Sequence, residues 1–296
     1  MTRSYRGVVS RPVMRARSTV SDALFRQSRR TTAEVILLCT ICVAATLSGC
    51  TASRQPAGVS SVAPDASAAI ASGQFRPLFN GKNLDGWDGN PSLWSVEDGA
   101  ITGQTTVPLA ENTFLIHAGS FSDFELRLKY RFLTPVGNSG LQYRSRPDRS
   151  RPYSVIGYQA NVVTQNADRT FAMLWEERGR ELLARCGESV RVVHSVDTAT
   201  RGFERQFKSP AQSCDSIRTN ARPYPQWNDY VVVAKGNRLM HWLNGSLTVD
   251  VIDDDADARS MEGAFALQIH RDIAMVVQFK DIEVRVIPNS AARHLE

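Results

Sequence analysis

The chain has 296 residues, 42% of them hydrophobic and 22% charged, an ordinary globular balance for one or two domains. Its formal charge of +5 is unevenly placed: the first fifty residues carry eight Arg against Asp22 and Glu34, leaving 27 basic and 28 acidic residues, a net of −1, in the remainder. Nucleic acid, which needs basic side chains clustered on the folded part, is therefore not an expected partner.

Arg26, Arg29 and Arg30 precede an apolar run, Val35 to Leu47, of 13 residues. That run is too short to span a bilayer and has the length of a signal-peptide core. It ends in Leu47-Ser48-Gly49-Cys50, which resembles the lipobox of bacterial lipoproteins. The resemblance implies that residues 1–50 are a lipoprotein signal peptide and that Cys50 is acylated as the new N-terminus. The protein would then be exported and lipid-anchored to a bacterial membrane, in the periplasm or at the cell surface. An ordinary signal peptide or a short membrane anchor are the alternatives, and Met14 is an alternative start. Residues 51–74, rich in Ala, Ser, Pro and Gly, read as a flexible tether.

A folded domain is expected over residues 75–289, followed by a tail, 290–296. Phe124 to Phe132 alternates apolar and charged residues over nine positions, the pattern of a strand with one face buried. Phe171 to Arg185 is ambiguous: Glu176, Glu177 and Arg178 suit a helix, and Gly179 interrupts it. Cys186 and Cys214 are the only cysteines after Cys50. In an oxidising compartment a disulfide is favoured over two free thiols, and it would tie down a segment that reads as a loop. Val231 to Ala234, Leu239 to Leu243 and Ser246 to Ile252 read as strands, with turns at Lys235-Gly236-Asn237 and at Asn244-Gly245, a strong hairpin signal. Phe265 to His270 and Val276 to Val284 complete the set. No amphipathic helix of three turns is visible. The fold class is all-β: a two-sheet antiparallel sandwich or barrel.

Several strings then form an ordered set. Leu78-Phe79-Asn80-Gly81-Lys82-Asn83-Leu84-Asp85-Gly86-Trp87, Trp94-Ser95-Val96-Glu97-Asp98-Gly99-Ala100-Ile101 and Gly137-Asn138-Ser139-Gly140-Leu141-Gln142-Tyr143-Arg144 come first. Gly157-Tyr158-Gln159-Ala160, Trp175 to Arg180, Trp227 to Tyr230, Leu243-Asn244-Gly245 and Leu267-Gln268-Ile269-His270 follow. Together they resemble the bacterial 3-keto-disaccharide hydrolase domain family from Phe75 to about Ile287. The resemblance implies a concanavalin A-like jelly roll acting on sugars oxidised at C3. Such a ketone acidifies the C2 proton; a base removes it, the enolate expels the group at C1, and hydration completes a net hydrolysis. The chain departs from the family where Asn161 stands in place of an Asp, which weakens any cation role there.

Strand alternation gives candidates. Gln142 and Arg144, Gln159 and Asn161, and Gln268 and His270 form polar pairs opposite apolar rows, suited to sugar hydroxyls. His270 is the first candidate for base or metal ligand, then Glu176 and Glu177, which face opposite ways in a strand, so only one reaches the cleft. Arg144, Arg178 and Arg180 are candidates to stabilise the enolate. Asn138, Tyr158 and His241 complete the substrate-binding set. A divalent metal, with His270 and Glu177 as ligands, is the one cofactor left open. Trp87, Trp94 and Trp227 read as core, His117 and His194 as surface or structural residues, and Asp253-Asp254-Asp255 as an acidic turn. The alternative to an enzyme is a lectin-like carbohydrate-binding module. A glucanase with paired carboxylates ranks below both, because adjacent strand residues cannot form its pair. Carbohydrate is the expected ligand, and convergence of Arg144, Gln159, one of the two glutamates and His270 is the expected geometry.

Overall fold

The computed structural model describes residues 73–165, 169–197 and 199–288. The expected signal peptide, Cys50, the expected linker up to residue 72 and the 290–296 tail lie outside the described residues. In chain order the strands are β1 (Arg76–Pro77), β2 (Trp87–Asp88), β3 (Trp94–Glu97), β4 (Ala100–Thr105), β5 (Thr113–His117), β6 (Phe124–Phe132), β7 (Asn138–Pro147), β8 (Val155–Val163) and β9 (Leu174–Glu177). Then come β10 (Glu181–Ala184), β11 (Glu188–His194), β12 (Phe203–Pro210), the short helix α1 (Cys214–Asn220), β13 (Asn228–Lys235), β14 (Arg238–Leu243), β15 (Ser246–Asp253), β16 (Ala264–Ile269) and β17 (Met275–Val286).

These strands make the expected sandwich. One sheet runs β12-β11-β15-β14-β13-β6-β17-β4-β3, with β1 against β17; the other runs β10-β9-β8-β7-β16-β5-β2. All ladders are antiparallel except β11 on β15. The period-2 segment forms β6 as read, with Phe124, Leu126, Leu128, Tyr130 and Phe132 buried between the sheets. Phe124 meets Phe265 of the opposite sheet edge-on, ring centroids 4.8 Å apart. Burying a side chain of this size contributes roughly 1.5–3 kcal/mol, so this row alone is a substantial share of the stabilisation.

Polar side chains also span the core. Tyr143 Oη lies 2.9 Å from His241 Nε2, and Tyr158 donates to Asp253 Oδ2 at 2.5 Å, each bond joining one sheet to the other. Trp87 and Trp94 are core residues as expected, and Trp227 lies under Arg131 and Lys280.

The ambiguous stretch is a hairpin. Glu176 and Glu177 end β9, and Arg178-Gly179-Arg180 turn the chain into β10. A Cβ on Gly179 would approach the Glu176 carboxylate to 2.7 Å, so the tight turn needs glycine. Cys186 and Cys214 form the expected disulfide. The segment between them is not the expected loop: it holds β11, β12 and the start of α1, and β11 takes a parallel place beside β15. β12 is exposed almost throughout, so it lacks the apolar alternation that reveals a strand. Among the described residues, no helix is long and apolar enough to cross a membrane.

Candidate active site

The register of the second sheet places the polar pairs. Gln142 lies opposite Gln159, Gln159 opposite Trp175, and Gly157 opposite Glu177. Neighbours across a sheet share a face. Gln159, Trp175 and Glu177 therefore share the face away from the other sheet, while Tyr158 and Glu176 share the inner one.

On the outer face lies a cavity of about 590 Å³, lined by Asn112, Asn138, Gln159, Asn161, Trp175, Glu177, Arg178, Gln268, His270 and Arg271 among others. Its floor is a directional chain of amides. Ser145 Oγ donates to Gln142 Oε1 at 2.9 Å, Gln142 Nε2 to Gln159 Oε1 at 2.7 Å, and Gln159 Nε2 to Asn161 Oδ1 at 2.8 Å. Asn161 Nδ2 then donates to the Thr170 carbonyl at 2.7 Å. Asparagine at 161 is thus explained: a carboxylate has no hydrogen to give Thr170 and would face its carbonyl oxygen.

Two polar groups in the cavity wall stand apart. Gln268 is fully buried and neither end of its amide has a hydrogen-bond partner; Asn138 Oδ1 is likewise buried and unpaired. Buried amides are normally satisfied, so these are the groups a ligand would complete.

Glu177 and His270 supply the titratable chemistry. Burial pushes the Glu177 carboxyl above its ordinary range; the Asn112 amide, His270, Arg178 and Arg271 partly offset this. Asn112 Nδ2 donates to Glu177 Oε1 at 3.0 Å, and Asn112 Oδ1 accepts from the Arg271 amide at 3.0 Å. His270 Nδ1 lies 2.5 Å from the Arg271 carbonyl oxygen. A carbonyl only accepts, so Nδ1 carries the hydrogen, which makes Nε2 the nitrogen that exchanges a proton. Arg178 pairs with Asp148 at 2.9 Å on the cavity rim.

Five expected site residues lie elsewhere. A bulge in β7 between Tyr143 and Arg146 breaks the alternation, with Arg144 in the left-handed region at φ 47°. Ser145 takes the place on the Gln142 face, and Arg144 turns away to the Ser122 and Gly236 carbonyls and Asp123, where it is buried. Tyr158 and His241 point between the sheets. Glu176 is on the inner face, clamped by Arg180 through Nε at 2.7 Å and Nη2 at 3.1 Å. Arg180 also holds Asp253, at 2.6 Å and 2.9 Å, which makes it a structural cation. Gln142 lies beneath the cavity and acts on it through Gln159.

Thus Gln159, Glu177 and His270 converge, joined by Asn138, Asn161, Arg178 and Gln268, while Arg144 does not. The sequence reading passed over Trp175, although the alternation that selects one of two glutamates makes Trp175 the face-mate of Glu177. It also passed over Asn112 and Arg271, which sit outside strands and have no period to mark them. For a metal at His270 and Glu177 the donor set does not fit. Among the described residues, the cavity brings no three His, Cys, Asp or Glu donors close enough to share an ion.

Comparison with known proteins gives the family. The model of the 3-keto-alpha-glucoside-1,2-lyase-like domain matches residues 74–285, and the chain belongs to that family. A 3-keto-disaccharide hydrolase of Bacteroides thetaiotaomicron is 24% identical over 186 residues, covering 57% of this chain and 56% of that relative. The chain thus spans little more than half of that protein's length. Among solved structures, a candidate glycosyl hydrolase from Parabacteroides distasonis ATCC 8503 is 20% identical with a TM-score of 0.47, over 75% of this chain and 97% of its own. Carbohydrate binding module CBM66 from Bacillus subtilis is 17% identical with a TM-score of 0.42, over 68% and 95%.

Proposed function

We propose that the domain cleaves 3-keto-glycosides or 3-keto-disaccharides by elimination and hydration. The base takes the proton from C2, and its electron pair forms the enolate with the C3 ketone. The C1–O bond then breaks, the pair leaving on the aglycone oxygen with a proton. Water adds to C1 and a proton returns to C2, so the sum is hydrolysis. The observation that carries this reading is Glu177 and the His270 ring lining one cavity, a carboxyl whose proton affinity burial raises together with an imidazole. His270 Nε2 is the base; Glu177, its proton affinity raised by burial, returns a proton. Arg178 and Arg271 offer positive charge to the enolate oxygen. Gln159, Asn161, Gln268 and Asn138 orient the sugar. A wider depression of about 1050 Å³ adjoins the cavity and shares Arg151 and Ser154 with it, room suited to an aglycone.

Incubating the purified protein with a 3-keto-glucoside should release the aglycone, and His270→Gln should slow release about 10²–10⁴-fold. No release from several aglycones, with and without divalent metals, would overturn the proposal. The second reading, a non-catalytic carbohydrate-binding module, draws on the neutral amide floor, where Asn161 stands in place of a carboxylate. It predicts glycan binding that survives His270→Ala, with no turnover. Export and anchoring through Cys50 are also proposed. Incorporation of labelled palmitate by the wild type, lost in Cys50→Ala, tests them.

A further inference from the structure

The parallel ladder of β11 on β15 has a chemical outcome outside the cavity. Because the two strands run the same way, they deliver their following residues to one edge, with Val192 beside Asp253 in register. The Asp254 amide donates to the Val192 carbonyl at 2.8 Å and fixes that edge. His194 ends β11; Asp255 and Asp257 follow β15. His194 Nδ1 lies 3.5 Å from Asp255 Oδ1 and 3.9 Å from Asp257 Oδ2.

Asp255 is the telling member. It is 1% exposed, and its Oδ1, the oxygen facing His194, is buried with no hydrogen-bond partner. Its Oδ2 reaches only Arg180 Nη1, at 3.3 Å. That one guanidinium already serves Glu176 and Asp253. One guanidinium shared among three buried carboxyl groups leaves Asp255 the least served of them, with a single long contact, and a buried carboxyl without a full partner is costly.

We propose that His194, Asp255 and Asp257 bind a divalent cation of the zinc type. An imidazole nitrogen with two carboxylates is a donor set for a transition ion rather than for calcium or magnesium, which take oxygen alone. Two ligands at 2.0–2.2 Å from a tetrahedral ion lie roughly 3.3–3.6 Å apart. The 3.5 Å separation already meets this, and the 3.9 Å one does so after a small rotation of exposed Asp257. The three donor atoms all lie within 4.8 Å of one another. Half-exposed His194 leaves the fourth position to water. The ion completes Asp255 and, through Arg180 and Glu176, braces the strand whose last residue is Glu177. Its role is structural, since none of its ligands lines the cavity.

The test is calorimetric titration of the full chain, stripped of metal, with Zn²⁺, and in parallel with Ca²⁺, alongside thermal melts. Zn²⁺ should bind and raise Tm, and the double variant His194→Ala/Asp257→Asn should lose at least tenfold in affinity and the Tm response. Both positions are exposed, so the variant should fold, as circular dichroism would verify, and it keeps every cysteine, so zinc held by thiols is subtracted. His270→Ala should bind Zn²⁺ like the wild type. Equal Zn²⁺ binding by the double variant, or no Tm response in the wild type, overturns the site. Tighter binding of Ca²⁺ than Zn²⁺ overturns its assignment.

Discussion

Asn112 and Glu177 share a hydrogen bond of 3.0 Å although they are 65 residues apart in the chain and three strands lie between their elements. Asn112 immediately precedes β5 and Glu177 ends β9, with β8, β7 and β16 in between. The sheet must curl strongly for them to touch, and the cavity is the space under that curl. The bond also holds a carboxylate that burial would otherwise leave still more reluctant to ionise.

Glu177 therefore predicts a pH signature. Its folded pKa is raised above the ordinary 4.5, so its contribution to stability is full below that value and is lost as pH rises through the raised one. Relative to Glu177→Gln, the wild type should lose stability in urea unfolding as pH rises above about 4.5. The same variant should lower turnover about 10²–10⁴-fold. A stability difference that does not change with pH counts against a raised pKa.

Gln268 separates binding from folding. Its amide is buried and unpaired, so Gln268→Met removes an unsatisfied group while nearly keeping volume. Such a change is close to neutral or stabilising by about 1 kcal/mol. The expected result is an unchanged or higher Tm with sugar binding at least tenfold weaker by calorimetry. A fall in Tm of several degrees with intact binding would make Gln268 a structural residue.

Arg144 predicts the opposite pattern. It is buried against Asp123 and two carbonyls, and removing one partner of such a pair costs about 3–5 kcal/mol. Arg144→Ala should be markedly less stable in urea, while KM of the folded fraction stays the same. A variant of normal stability with raised KM would return Arg144 to the site.

His241 governs acid sensitivity. Burial lowers its pKa to about 3, so it is neutral in the fold and charged below about 6.5 when unfolded. Its stability contribution is present above 6.5 and is lost as pH falls towards 3, at up to ~1.4 kcal/mol per pH unit. His241→Phe should flatten the acid limb of a stability-against-pH curve, even though losing the Tyr143 bond lowers stability at pH 7. An unchanged acid limb would show that other groups set it.

What the sequence revealed follows from periodicity. β6 was legible because every second residue is apolar, and Gln159, Asn161, Gln268 and His270 were legible because they oppose such rows. Arg144 was not, since a bulge inserts a residue without changing composition and reverses the side that follows. The two glutamates were legible as an either-or, and only the pairing of Gly157 with Glu177 decides between them. Asn112 could not be found from pattern, because its role depends on the curl of the whole sheet. The parallel β11–β15 ladder was equally hidden, since β12 buries almost nothing and strand direction leaves no mark in composition.

The amide floor has a sense of direction. From Ser145 through Gln142, Gln159 and Asn161 to the Thr170 carbonyl, every hydrogen points the same way. No single amide can flip without placing oxygen against oxygen at the next member of the chain. The floor is therefore a rigid ruler with a head and a tail. Under the proposed function, a sugar ring laid on it would meet an asymmetric order of donors and acceptors, so two orientations of the same ring would not be equivalent, and the fold would choose between them before any chemistry begins.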